Sequence, residues 1–286
     1  MLKMYAYMQQ FRIYYWRNTM KPMLDDYNLC QDQKWRASKT VRESVEQSDK
    51  LLNSLVPDGT GIVNAGVMLF SETKTNCQII LGAEKRATLP GTKQGDLNVC
   101  MGLVKKGDTP TITAFKELVE ETRGNVEITL QEVCNAIKEK HFGVTFHKNH
   151  EASIIVFIRT KGISAEYLNE HNSDETSVIG KEKSQLLKDR DEKERWSEVN
   201  FKYFFEKCKT LSDDYPHKTG KTINEKTVAS YGLQLPVSFI TRTALQQSFM
   251  KPLGAFAQEI DFSETTQDFQ DLTVGLVGEQ QEHPSS

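Results

Sequence analysis

Three glutamates, Glu117, Glu120 and Glu121, fall within one short stretch of this 286-residue chain. On a helix, Glu117 and Glu121 are one turn apart and Glu120 neighbours both. Carboxylates that close repel one another, by about 0.3 kcal/mol per pair at this spacing. A divalent cation such as Mg²⁺, which prefers carboxylate and water oxygens in an octahedral shell, would turn that repulsion into binding. The plainer alternative is a solvated acidic face whose charge Lys116 partly offsets. On the helix alone, that alternative is favoured.

The elements around the glutamates bear on the choice. In Asp108 to Gly124 (DTPTITAFKELVEETRG), Thr109 suits an N-cap and Pro110 the first helical position, where its missing N–H costs nothing. Phe115, Leu118, Val119 and Thr122 share one face, so a helix from about Thr109 to Thr122 is expected, with the glutamates mostly on the other side. Before it, Gly102 to Asp108 reads as the end of a strand running through a glycine-bounded loop into the helix.

Elsewhere, Val41, Val45, Leu52 and Leu55 recur at helical spacing within Ser38 to Leu55, and Pro57-Asp58-Gly59 ends that segment. Ile62 to Phe70 and Gln78 to Gly82 read as strands joined by a hairpin loop, Ser71 to Asn76. Thr88 to Asp96 reads as a loop, and Leu97 to Val104 is a third apolar run. Asn125 to Leu130 alternates like a strand, and Ala152 to Arg159 (ASIIVFIR) is a β-branched run suited to a sheet centre. Trp196 to Phe205 resumes the apolar pattern after a charged stretch, and a helix is expected around Ser238 to Met250.

This pattern predicts an α/β fold with a mixed sheet and helices packed on it. The expected division is a helical N-terminal extension (1–60), a core domain (61–207, with a charged insertion at about 160–195) and a polar C-terminal extension (208–286). From Pro252 to Ser286 there is no Lys or Arg while acids accumulate, and the last twenty residues are expected to be disordered.

Composition narrows the function classes. Thirty-six basic and 39 acidic side chains give a net charge of −3, which argues against bulk electrostatic binding of long nucleic acid. Five scattered cysteines, Cys30, Cys77, Cys100, Cys134 and Cys208, argue against a full disulfide framework and for a reducing, cytoplasmic setting. Zinc is not expected, because no Cys or His pairs have ligand spacing. No apolar run approaches the length of a membrane span.

Taken together, the array is Gly102, five residues, Asp108, seven residues, Lys116, Glu117, Leu118, Val119, Glu120, Glu121. It resembles the signature of the Nudix hydrolase family: Gly, five residues, Glu, seven residues, Arg-Glu, an aliphatic residue, one residue, Glu-Glu, one residue, Gly. Every spacing agrees from Gly102 to Glu121. Asp108 replaces Glu and Lys116 replaces Arg, each keeping charge, although lysine lacks the bidentate guanidinium fork. Arg123 is one extra residue before Gly124. The resemblance covers about Ile62 to Phe205. It includes Lys85-Arg86 after the second strand and Glu192-Lys193-Glu194-Arg195-Trp196, which fits the later acid near a Trp-containing strand.

The resemblance implies a Nudix-like α/β/α sandwich. It also implies a pyrophosphohydrolase using Mg²⁺ or Mn²⁺ on a diphosphate bond linked to a nucleoside, as in dinucleoside polyphosphates, nucleotide sugars such as ADP-ribose, or nucleoside triphosphates. Gly102, Glu117, Glu120 and Glu121 would bind metal. Glu120, Glu194 and Lys116 would be catalytic, with Glu151 a further candidate base. Lys85, Arg86 and Lys105 would contact phosphates, with Lys106 beside them. A small-molecule nucleotide is the expected partner, and the oligomeric state is open. Two rivals stand beside this reading. One is an RNA-decapping enzyme of the family, using N-terminal aromatic and basic residues such as Tyr14, Trp16 and Arg17. The other is a nucleotide-binding module with little turnover. The acidic C-terminus also resembles tails of some exported effector proteins.

Overall fold

The computed structural model describes residues 21–31, 39–72, 77–85, 93–171, 193–215, 222–233 and 235–259. Arg86, Tyr14, Trp16, Arg17 and the acidic tail lie outside the described residues. Among the described residues, helices α1 (Lys21–Gln31) and α2 (Lys39–Ser54) come first, followed by strands β1 (Gly61–Glu72), β2 (Cys77–Glu84), β3 (Leu97–Asn98) and β4 (Cys100–Leu103). Helices α3 (Pro110–Glu121) and α4 (Leu130–Lys138), strands β5 (Phe142–His147) and β6 (Glu151–Lys161), helix α5 (Ala165–His171) and strand β7 (Lys193–Asn200) follow. Helices α6 (Phe201–Asp214) and α7 (Glu225–Ser230) come next. A short helix, α8 (Val237–Phe239), then runs through a π-helical turn at Ile240–Ala244 toward α9 (Gln247–Glu259).

One mixed sheet organises these elements, in the order β3-β2-β1-β6-β5, with β4 paired to β1 and β7 to β2. β1 runs parallel to β6 and antiparallel to β2 and β4. Alternation along β1 explains the layering. Ala65, Val67 and Leu69 enter one core, while Met68 and Phe70 enter another. In β6, Ile154, Val156 and Ile158 join the first core, and Ile155 and Phe157 the second. Because both faces are covered, these strands read as continuous apolar runs.

Helices α1 to α5 cover the first face, and α6 to α9 the second. The aromatic centre of the second layer is Phe70, whose ring lies 4.9 Å from Phe201 and 4.8 Å from Phe256. The two flanks outside the core strands are therefore built into the layers. Met23, Leu24, Tyr27, Val45 and Leu52 from α1 and α2 are buried in the first core, and Phe249, Leu253 and Phe256 from α9 in the second.

Three expectations are corrected. Asn125 to Leu130 forms no strand, although Val126, Ile128 and Leu130 are buried as alternation predicts. The segment instead enters α4, where Thr129 and Glu132 form a capping box, a signal the sequence carried in plain form. The helix expected at Ser238 to Met250 is split by the π turn, and α9 continues through Pro252 to Glu259. Proline inside a helix costs about 3 kcal/mol. Burial of Phe249, Leu253 and Phe256 offsets this, each large side chain contributing about 2 kcal/mol. Finally, Leu55, the last residue of the expected apolar stripe, falls beyond α2 and is 47% exposed.

Candidate functional site

Helix α3 is fixed at its start by two caps. The Thr109 hydroxyl accepts from the Ile112 amide at 3.4 Å. Asp49 of α2 accepts from the Thr111 amide at 3.1 Å and from its hydroxyl at 2.7 Å. Burial raises the Asp49 pKa above the ordinary carboxylate value, while the hydrogen bonds from Thr109 and Thr111 oppose it. Asp26 of α1 plays a similar part for α4, accepting from the Leu130 amide at 3.2 Å. At the other end, Arg123 and Gly124 both take positive φ, 51° and 65°, and the Gly124 amide returns to the Val119 carbonyl at 2.8 Å. The extra residue thus completes a left-handed helix exit.

The glutamates of α3 are not a solvated face. Glu117, Glu120 and Glu121 are 8%, 4% and 3% exposed. Helices α1, α2 and α4 enclose α3 on one side and the sheet on the other, so a face that is polar in sequence is interior in the fold.

Each glutamate meets a different surround. Glu117 lies against Gly102 of β4, and a Cβ at that glycine would fall on the Glu117 carboxylate. Glu120 accepts a hydrogen bond from the Tyr27 hydroxyl at 2.7 Å. Glu121 lies 3.5 Å from the ammonium of Lys193, which is itself 2.6 Å from Glu84. Asn98 also donates to Glu84, at 3.1 Å. One ammonium between two buried carboxylates leaves a charge imbalance, and Glu121 absorbs it. Burial pushes its pKa up to about 8, against the opposing pull of Lys193 and with further elevation from Glu84 and Glu117. Lys193 is shifted upward by Glu121 and Glu84 despite the opposing effect of its own burial.

Lys116 spans the motif differently. Its ammonium is 2.9 Å from Asp108, with both side chains mostly buried, so the pair ties the entry loop to the middle of α3. A lysine–aspartate pair makes this link despite both departures from the family pattern.

Among the described residues, no three His, Cys, Asp or Glu side chains are drawn together into a ready-made metal cluster. The donor set nonetheless fits a hard divalent cation. Glu121 Oε2 is buried without a hydrogen-bond donor, Gly102 leaves room for the Glu117 carboxylate, and all the donors offered are oxygens.

No family model and no curated protein matches the chain. Among solved structures, it is similar to a C. elegans Ap4A hydrolase in a binary complex, with 13% identity over 49% of this chain and 80% of the other, at a TM-score of 0.28. A second structure, of C. elegans Ap4A hydrolase, gives 11% identity over 51% and 86%, at a TM-score of 0.27. Likeness at this level leaves the reading to the site residues.

The remaining candidates are spread out. Glu194 is exposed; its neighbour Lys193 is the residue of β7 that reaches the carboxylates. Sequence reasoning passed over Lys193 because it sits in a run of charges that looks solvated. Its signal was a glycine on the neighbouring strand: a Cβ at Gly82 would meet the Lys193 stem at 2.7 Å, so Gly82 clears its path across the sheet. Glu151, at the start of β6, is exposed, as are Lys105 and Lys106 in the entry loop, and Lys85 is half-buried just after β2. Trp196 is 3% exposed and belongs to the first core, as do Phe142 and the strands beside it. His141 pairs with Glu259 at 2.8 Å, away from the glutamates of α3. All five cysteines are free and buried. No described helix is long and apolar enough to cross a membrane.

Tyr27 carries a test of its own. Tyr27→Phe removes the hydroxyl and leaves Glu120 without that donor in a buried setting, which should lower stability by about 1–3 kcal/mol. Urea denaturation measures this, and an unchanged midpoint would mean the bond contributes nothing.

Proposed function

We propose that this chain is a divalent-cation-dependent hydrolase of a diphosphate bond in a nucleotide-type small molecule, of the Nudix kind that its motif resembles. The observation that carries the reading is the convergence of the motif's separated parts. Gly102 makes room for Glu117, Lys116 holds Asp108, and all three glutamates are interior. A surface acidic stripe would need none of this.

In this reading Glu117, Glu120 and Glu121, with Gly102, hold Mg²⁺ or Mn²⁺. Bound there, the ion would offset the charge of the diphosphate and acidify a water. The chain's own residues do the rest. The Lys116–Asp108 pair keeps the loop after β4 against α3, so that Gly102 and Glu117 stay opposed. Tyr27 fixes the orientation of Glu120. Of the three candidate bases, Glu120 is the one lying among the other carboxylates, and we assign it to proton removal from the attacking water. Lys85 and Lys105, with Arg86, are assigned to substrate phosphates. The catalytic unit is placed in 61–207, with α1 and α2 supplying Tyr27 and Asp49 to it, and a cytoplasmic setting is assigned.

The test is a hydrolysis screen with Mg²⁺ and Mn²⁺ over nucleotide sugars, dinucleoside polyphosphates, nucleoside triphosphates and capped RNA. Turnover of a small molecule, abolished by EDTA and reduced roughly 10³-fold in Glu120→Gln, is expected. A chain that binds a nucleotide but hydrolyses none of these would be a binding module instead. Cleavage of capped RNA alone, with steep salt dependence, would select the decapping alternative.

A further inference from the structure

Lys193 reaches this cluster from β7, outside the motif. Its side chain is 1% exposed and crosses the sheet from β7 over Gly82. The ammonium is held at 2.6 Å by Glu84, donates to the Val99 carbonyl at 3.4 Å and reaches Glu121 at 3.5 Å. Glu84 is its directly opposed partner in the β2–β7 pairing, so the strong contact is set by strand register. The weaker contact is to a carboxylate proposed to hold the metal. Glu121 Oε2 has no hydrogen-bond donor, although an ammonium lies nearby.

The arrangement is one of unequal sharing. An ammonium anchored by Glu84 and leaning toward Glu121 supplies positive charge to Glu121 without closing a bond on it. A divalent ion arriving at Glu121 would meet a fixed positive charge in a water-poor interior, where like charges repel strongly. The lysine cannot swing into solvent without leaving Glu84 buried and unpaired.

Resting on the metal-dependent reading above, we propose that Lys193 is an internal counter-cation. It keeps a fixed positive charge beside Glu121 and thereby weakens the affinity of the site for a divalent ion. Lys193 is a positioning residue here, not a catalytic one.

The experiment is calorimetric titration of Mn²⁺ into the full chain without substrate, so that it is read apart from turnover. Four proteins are compared: wild type, Lys193→Arg, Lys193→Met, and Lys193→Met combined with Glu84→Gln. The double variant removes the ammonium together with its anchoring charge, so it remains informative if the single variant fails to fold. Mn²⁺ binding tighter by roughly tenfold or more in the charge-balanced double variant is expected, with Lys193→Arg close to wild type. Unchanged, weaker or undetectable binding in the double variant overturns the proposal. Tighter binding without hydrolysis of any substrate in the screen would sink the hydrolase reading alone. Hydrolysis with Mn²⁺ affinity indifferent to Lys193 would sink this proposal alone.

Discussion

Gly102→Ala should cost function without costing the fold. The new Cβ would land on the Glu117 carboxylate. That obstacle is the far end of a flexible side chain, so the strand need not move; Glu117 rotates away instead. The proposed metal pair is then broken, and a displacement of about 1 Å at such a centre lowers turnover by roughly 10²-fold. Mn²⁺ affinity should fall with it, while the melting temperature stays close to that of the wild type. Gly66→Ala is the control. There the Cβ would meet the Cys100 carbonyl and, at 2.8 Å, the Met101 Cα, so backbone must yield and the damage should appear in stability, on the order of 1–3 kcal/mol. Equal loss of stability in both variants, or an active Gly102→Ala protein, would show that Gly102 does not serve Glu117.

Stability of the metal-free chain should decline as the pH rises from 6 to 9, and Glu121→Gln should flatten that decline. Burial raises the Glu121 pKa from 4.5 to about 8. A carboxyl whose folded-state value lies above its unfolded value stabilises the fold fully below the unfolded value. That contribution is lost as the pH rises through the folded value. The window is therefore about 4.5 to 8, and the loss between pH 6 and pH 9 is on the order of 2 kcal/mol. Ionisation above pH 8 places a second negative charge beside Lys193, which already pairs with Glu84. Glutamine keeps the shape and removes the titration. Urea midpoints at several pH values, with EDTA present, measure the effect. A variant whose pH profile parallels the wild type would place the sensitivity elsewhere.

Local patterns were legible from the chain alone. Thr109 and Pro110 mark the start of α3, the β-branched run in β6 announces an interior strand, and the spacing from Gly102 to Glu121 joins a loop to a helix as one array. These signals rest on neighbours in sequence, where capping and periodicity act directly. The same local reasoning misread Asn125 to Leu130, because burial on alternate residues also occurs in an extended segment with no strand beside it. It also stopped the last helix at about Met250, before Pro252, because the aromatic contacts that carry α9 past the proline come from β1 and β6.

What the glutamates are was decided elsewhere. By sequence, Glu117, Glu120 and Glu121 form the polar face of an amphipathic helix, and the plain reading of that face is surface. Only tertiary packing encloses it, setting Tyr27 from α1, Gly102 from β4 and Lys193 from β7 around three carboxylates of one helix. Those partners lie roughly 15 to 90 residues away along the chain. Helical spacing determines which acids stand together. Desolvation by distant segments determines that they are no longer a solvated face but a buried cluster whose charge must be balanced.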